Sequence, residues 1–178
     1  DSIVVVVDSV NATGVSYQVI SSGAVVKEGA IDAGDNITGL DLGAGDYTVN
    51  LTTVVNGNYT SANYSSKITV NQANSSISAV DVEVIYGDSI VVVVDSVNAT
   101  GVSYQVISSG VVVKEGTVDA GENIADLDLA AGEYTVNLTT LVNANYTASS
   151  YSSKITVSRA NSSLSAVDVE VIYGDSIV

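Results

Sequence analysis

The asparagine residues of this sequence have the spacing that N-glycosylation requires. Ten of the fourteen asparagines stand in an Asn-x-Ser/Thr sequon, whereas chance alone would give roughly three. Asparagine and threonine are also common polar residues of turns and strand faces, and that is the simpler explanation of each single site. We predict that some of these sites carry glycans, which would shield exposed loops and sheet faces. The candidates are Asn11, Asn36, Asn50, Asn58, Asn63, Asn74, Asn98, Asn137, Asn145 and Asn161.

The carboxylates offer a second chemistry, which is calcium binding. Ca²⁺ takes six to eight oxygen ligands, often from loops, and the weak candidates here are Asp88, Asp119 and Glu122. No stretch has the spacing of an EF-hand loop. The alternating segments DVEV and DLDL are more simply explained as solvated strand faces. We therefore expect no cofactor, with calcium as the weaker alternative.

The sequence contains few of the residue types that enzymes commonly use for catalysis. The chain has no histidine and no cysteine, so a general base would have to be a carboxylate or a lysine. No nucleophile elbow, P-loop or zinc motif is present. A Lys–Asn amide cross-link between strands would use Lys114 or Lys154, yet the alternation of the strand places Lys154 outward. We predict that the protein is not an enzyme.

Charge excludes two classes of partner. The formal net charge is −15 with five basic residues, so no basic stripe is available for nucleic acid, and an anionic membrane surface is disfavoured. The absence of cysteine removes disulfides. The apolar run SIVVVV is much shorter than the roughly 18 residues that a membrane-spanning helix needs. We expect no nucleic-acid partner and no membrane span in these residues.

The elements that would position these side chains come from a tandem repeat. The segment DSIVVVVDSV begins at Asp1, returns at Asp88 and starts again at Asp175, and the 87-residue units are identical at 71 positions. We predict a first repeat lacking its first strand (residues 1–73), a complete second repeat (74–160), and the first strand and start of the next repeat (161–178). Because Asp175 begins a third copy, we expect these residues to be part of a longer string of repeats.

In each repeat, apolar residues at every second position predict a series of short strands. Turn segments such as YGD, NATG, SSG and DAGEN separate them. About seven strands per repeat, with turns every 8–12 residues, predict an all-β fold of tandem immunoglobulin-like antiparallel β-sandwiches. The predicted inward residues of the second repeat are Val80, Val82, Val84, Val102, Tyr104, Val106, Leu127, Leu129, Tyr134, Val136, Leu138, Ile155 and Val157.

The four-valine run is assigned to the second strand of each sandwich. Such a run indicates a central strand buried on both faces, or one whose outer face meets a neighbour. The flanking Asp88 and Asp95 would act as gatekeepers against aggregation.

A tyrosine follows the segments LDLGAG and LDLAAG. In immunoglobulin-like sandwiches a tyrosine at this place forms a tyrosine corner, in which its hydroxyl bonds back to upstream backbone. Tyr47 and Tyr134 are the candidates, and the alternative is that both are ordinary core residues.

These segments carry a family resemblance. The combination of YGD, AGEYTV and NYT…SYSSKITV resembles the immunoglobulin-like repeats of prokaryotic cell-surface proteins, and especially the adhesin-like proteins of methanogenic archaea. The resemblance spans the whole repeat. It implies a long extracellular chain at the cell surface that has no enzymatic site.

The function expected from these observations is structural: a glycosylated string that forms a cell-surface stalk or fibre. Its partners would be neighbouring copies of the repeat, N-linked glycans, and the surface of a host or neighbouring cell. One alternative is a carbohydrate- or protein-binding adhesin module, with Tyr146 and Tyr151 stacking on a sugar. Another is a filament subunit assembled by β-strand complementation.

Overall fold

The computed structural model describes residues 2–174, so Asp1 and the start of the third copy at residues 175–178 lie outside the described residues. This part of the chain is all-β. Residues 2–174 form no helix, and none of the chain within them could therefore cross a membrane as a helix. The predicted fold class is confirmed, and the strands that build it follow.

The first repeat contains six strands arranged in two sheets. A four-stranded sheet has the order β3-β2-β5-β6 and a two-stranded sheet pairs β1 with β4. All of these pairings are antiparallel. The strands are β1 (Ile3–Val5), β2 (Gly14–Ser21), β3 (Ala24–Asp32), β4 (Ile37–Leu40), β5 (Gly45–Val54) and β6 (Asn63–Val70).

The second repeat repeats this plan and adds strands at its beginning. Those strands are β7 (Ala73–Asn74), β8 (Ser76–Ala79) and β9 (Val82–Ile85), followed by β10 (Val94–Val97), β11 (Gly101–Ser108), β12 (Val111–Asp119), β13 (Gly132–Leu141), β14 (Tyr146–Thr147) and β15 (Ser150–Ser158). The larger sheet has the order β12-β11-β13-β15-β9, and β10 pairs with β8 in the smaller one. Two of the pairings, β15 with β9 and β14 with β7, are parallel.

The core of the second repeat lies between its two sheets. Val92 and Ile124, which pair with each other in a bridge outside the strands, pack in one cluster with Val136, Leu138 and Ile155 from the larger sheet. All five side chains are at most 1 % exposed, and their burial confirms the period-two pattern that the sequence predicts for these strands. Two apolar sheet faces packed on one core make the β-sandwich.

The first repeat has a separate and smaller core. Its fully buried residues are Val19, Ile37 and Val49, whereas Leu51 and Ile68 only pack partly buried against them. Their equivalents in the second repeat, Leu138 and Ile155, are buried, and there β8 of the smaller sheet packs against their strands while β9 adds to the larger sheet. The difference follows because residues 2–73 contain no counterpart of β8 or β9.

The first strand of the complete repeat differs from the prediction. The sequence predicts one continuous strand with Val80 inward, but Val80 is 65 % exposed. The chain leaves the smaller sheet after β8 and joins the larger sheet as β9. The Oδ1 atom of Asp81 accepts a hydrogen bond from the backbone N–H of Lys154 at 2.8 Å at this crossing. The prediction is therefore wrong at Val80, because one strand is shared between two sheets.

The valine run also differs from the first of its two interpretations. Val92 and Val94 are buried, while Val91 and Val93 are 40 % and 52 % exposed. Burial on both faces is therefore wrong, because this sheet has only one covered side among residues 2–174. The predicted strand around IADLDL is also short: in the second repeat it is reduced to a bridge between Val92 and Ile124.

Candidate functional site

Both candidate corner tyrosines donate hydrogen bonds to the backbone four residues upstream. The hydroxyl of Tyr47 lies 2.8 Å from the carbonyl oxygen of Gly43, and that of Tyr134 lies 2.9 Å from the carbonyl oxygen of Ala130. Each tyrosine is half-buried, with its ring packed against the core of its own repeat. Each hydroxyl thereby anchors the turn that precedes strand β5 or β13.

The anchored peptide of the first repeat has a second partner. In the Gly43–Ala44 peptide, the carbonyl oxygen accepts a hydrogen bond from the hydroxyl of Tyr47, and the N–H donates one to the side-chain Oδ1 of Asn145 at 2.8 Å. Asn145 belongs to the loop before β15, 101 residues away in the sequence. This hydrogen bond therefore connects the turn before β5 in the first repeat with the loop after β13 in the second repeat.

The segment between the repeats adds further hydrogen bonds at the same place. The side-chain Nε2 of Gln72 donates to the carbonyl oxygen of Ala144 at 2.8 Å. The backbone N–H of Ala73 donates to the carbonyl oxygen of Asn145 at 2.9 Å, next to the parallel pairing of β7 with β14. We call this set of residues (Gly43, Ala44, Gln72, Ala144 and Asn145) the joint.

Local structure holds Asn145 in place for this contact. Its backbone N–H donates to the side-chain Oδ1 of Asn143 at 2.9 Å, which is an asparagine-stabilised turn. Its backbone carbonyl accepts from Ala73. With both backbone groups bound, the side chain is directed towards Ala44 at little further entropic cost.

A glycine makes this approach possible. A Cβ atom added at Gly43 would lie 2.8 Å from the Oδ1 of Asn145, which is closer than carbon and oxygen atoms pack without repulsion. Gly43 aligns with Ala130 in the second repeat, and Gln72 aligns with Arg159. Ala144 aligns with Gly57, so the two repeats differ at three of the five positions that build the joint.

The sequons are mostly exposed, but several of their asparagines already use the side-chain oxygen. The Oδ1 of Asn50 accepts from Ser65, and that of Asn137 accepts from Ser152, across neighbouring strands. Asn11 and Asn98 occupy turns with a left-handed backbone, φ 57° in both. Asn50 is half-buried. The exposed sequon residues are Asn11, Asn36, Asn58, Asn63, Asn74, Asn98, Asn137, Asn145 and Asn161.

Other sequon side chains are bound within their own repeat. The Oδ1 of Asn36 accepts from the N–H of Val7, that of Asn63 accepts from Thr52, and that of Asn74 accepts from Thr147. The side-chain Nδ2 of Asn98 donates to the carbonyl of Asn74. Within residues 2–174, Asn145 is the sequon residue whose side chain forms a hydrogen bond with the other repeat.

The calcium candidates occupy two different turns. Asp88 accepts a hydrogen bond from the N–H of Ile85, whereas Asp119 and Glu122 close the turn after β12 through their backbones. Within residues 2–174, no three carboxylates come together as a metal-binding group. The ammonium group of Lys114 donates to the carbonyl of Asp126 at 2.7 Å, and Lys154 is exposed.

The two tyrosines predicted to stack on a sugar differ in their exposure to solvent. Tyr146 is half-buried in β14 beside Asn145, and Tyr151 is 42 % exposed on β15. An apolar groove of about 600 Å³ lies elsewhere, in the first repeat, between Val5, Val15, Leu51 and Tyr64. The corresponding surface of the second repeat is covered by β8, whose Ile77 belongs to the core.

The sequence predicts both tyrosine corners, but it does not predict the joint. Comparison of the two aligned repeats could have indicated three residues of the joint, because Gly43, Gln72 and Ala144 are among the sixteen positions at which the repeats differ. The pairing of Ala44 with Asn145 has no local sequence signal, since neither residue belongs to a periodic pattern that points at the other.

Fold and joint together define a tandem immunoglobulin-like β-sandwich protein whose consecutive domains are in contact. No protein-family model and no curated protein sequence matches this chain. Among solved structures, it is similar to fibronectin(III)-like modules of CbhA from Clostridium thermocellum, with a TM-score of 0.40 and 13 % sequence identity. That match covers 94 % of this chain and 91 % of the other.

Proposed function

We propose that this chain is a structural segment of an extracellular, N-glycosylated string of immunoglobulin-like repeats that forms a cell-surface stalk or fibre. The string belongs, on this proposal, to the adhesin-like surface proteins that its motifs resemble. Its work is mechanical: β13, ten residues long, spans roughly 33 Å, and each added sandwich extends the string by about that length. The net charge of −15 keeps neighbouring strings apart at close range.

One observation carries this proposal. Residues 10–23 and 97–110 are identical, including the NATG and SSG turns, and they have the same backbone conformations at Asn11 and Asn98 and at Ser22 and Ser109. Loops that recognise different ligands diverge over a constant core. Loops repeated without change favour a spacer, in which every repeat has the same task.

Force measurements on the whole chain test the mechanical role. A chain tethered at both termini should extend in two separate steps, because each repeat has its own core. Complete unfolding of an 87-residue unit should release about 300 Å of contour length, less its folded length. A smooth extension without steps at low force would contradict a load-bearing role.

Glycosylation is tested on protein purified from its native source. Peptides that contain Asn98 and Asn137 should carry glycans in mass spectra, because both side chains lie at the exposed surface. Bare asparagine at both positions would refute the glycoprotein part of the proposal. The force measurement would be unaffected by that result.

A second candidate is a filament held together by exchanged strands. The groove of the first repeat has the position that β8 covers in the second repeat. Residues 161–173 repeat the sequence of β8 and β9 except for one substitution, Leu164 for Ile77. Leu164 and Val167 are 99 % and 89 % exposed, so this segment offers a matching apolar strand for the groove of another copy.

Denaturing electrophoresis of native fibres separates the two candidates. A covalent string should remain one band of high mass after boiling in detergent. A strand-exchanged filament should instead collapse to its subunit, since only hydrogen bonds and apolar contacts join its copies. A single high-mass band would therefore exclude strand exchange as the link between subunits.

A further inference from the structure

We propose that the tyrosine corner of each repeat is a docking site for the next repeat, and that Asn145 is the side chain that docks there. The corner thus sets the angle between consecutive sandwiches in addition to bracing its own turn. This inference requires only that the two repeats are joined in one chain. It therefore stands or falls separately from the proposed stalk function.

The geometry of a single peptide group supports the proposal. The hydroxyl of Tyr47 binds the carbonyl oxygen of Gly43 at 2.8 Å, and the N–H of the same peptide binds Asn145 at 2.8 Å. Because a peptide group is planar, fixing its carbonyl also fixes the direction of its N–H. Donation by the tyrosine also polarises the peptide and strengthens the bond on its other side.

Burial supports the same conclusion. Ala44 is half-buried, whereas its equivalent Ala131 is exposed although the same corner bond is present at Tyr134. The neighbouring repeat accounts for the difference, since Asn145 lies against Ala44. The N–H of Ala131 forms no hydrogen bond within residues 2–174. In the proposed array it is the docking group for one more repeat.

The equivalent of the docking side chain is also present in the first repeat. Asn58 aligns with Asn145, and its backbone N–H binds the Oδ1 of Asn56 as that of Asn145 binds Asn143. Asn58 is thus presented in the same local turn. The partner that this surface fits is the corner turn of another copy of the repeat.

Residue 43 sets how closely the joint can close. An alanine at Gly43 would bring its Cβ atom to 2.8 Å from the Oδ1 of Asn145, so the side chain would have to move away from Ala44. Ala130 occupies this place in the second repeat. We expect a corner with alanine to dock the next repeat more loosely than a corner with glycine.

Distance measurements between the repeats in the full chain test the proposal. The chain has no cysteine, so Ala33→Cys and Ala120→Cys, at equivalent exposed turns, place one spin label on each repeat. Pulsed electron resonance should give one narrow distance distribution. Asn145→Ala, Tyr47→Phe and Gly43→Ala should each remove the narrow peak and leave a broad distribution.

Equivalent substitutions in the other repeat are the controls. Asn58→Ala and Tyr134→Phe make the same chemical changes away from the joint, and Ala130→Gly alters the equivalent corner position in the opposite direction; all three should leave the narrow peak in place. Unfolding of each variant, followed by NMR, shows whether both repeats remain folded. The proposal is overturned if folded Asn145→Ala and Gly43→Ala variants keep the narrow peak, or if the control variants lose it as well.

Discussion

Asp81 and Lys154 are joined by a hydrogen bond from the backbone N–H of Lys154 to the Oδ1 of Asp81, 2.8 Å long, where the first strand of the repeat changes sheets. Beyond this point β9 pairs in parallel with β15, beginning with Val82 opposite Ile155. The carboxylate occupies the start of that pairing and satisfies an N–H that would otherwise lack a ladder partner.

Asp81→Ala should therefore loosen the attachment of β9. We expect faster hydrogen exchange at the amide of Lys154 and at the amides that pair β9 with β15, because the first bond of the parallel ladder is lost. Asp81→Asn keeps an acceptor oxygen and should retain most of the protection. Glu83→Ala, on the exposed face of β9, is the matched control, and equal acceleration in that variant would contradict the assigned role.

Leu138 and Leu51 occupy equivalent positions and should respond differently to truncation. Leu138 is 1 % exposed, so Leu138→Ala should lower the free energy of unfolding of the second repeat by about 2–5 kcal/mol. Leu51 is only half-buried, and Leu51→Ala should cost the first repeat less. Denaturant titration followed by NMR signals of each repeat measures both effects.

The same titration tests whether the repeats fold independently. Leu138→Ala should shift the transition of the second repeat and leave that of the first repeat nearly unchanged, since the two cores share no residue. A common shift of both transitions would show one cooperative unit instead.

Gly101 cannot be replaced without moving backbone. A Cβ atom at this position would lie 2.7 Å from the carbonyl oxygen of Val118 on the paired strand. Gly101→Ala should therefore destabilise the second repeat by about 1–3 kcal/mol. Gly57→Ala is the control because a Cβ atom there meets nothing within 4 Å, and it should be neutral or slightly stabilising. Thermal unfolding of the two variants compares them directly.

Tyr134→Phe removes the hydroxyl that binds the carbonyl oxygen of Ala130 and keeps the ring. The expected loss is about 1 kcal/mol in the unfolding free energy of the second repeat, which is typical of one hydrogen bond. Calorimetry of the variant measures the loss. An unchanged unfolding free energy would show that solvent replaces the corner bond at no cost.

Much of the fold was predictable from local pattern. Alternation along the strand that contains Val136 and Leu138 identifies its buried face, because successive side chains of a strand point to opposite sides. The turn residues were readable for a similar reason, as Gly87 and Gly110 both have the positive φ that favours glycine. The position of the two corner tyrosines likewise follows from a short segment that precedes a strand.

Other features were not predictable because they depend on which strand is adjacent in space. The division of the first strand at Asp81 requires a partner amide 73 residues away, and the pattern of alternation continues through the break. The exposure of Val91 and Val93 depends on whether a further layer covers that sheet, which their composition does not reveal.

The sequence by itself determined the all-β class, the 87-residue unit and the inward face of most strands, because each of these follows from periodicity along the chain. Only the tertiary structure decided that Asn145 meets Ala44, how tightly Gly43 lets them approach, and which core is complete. Those features depend on distances between residues that are remote in sequence, and such distances are set by packing rather than by any local preference.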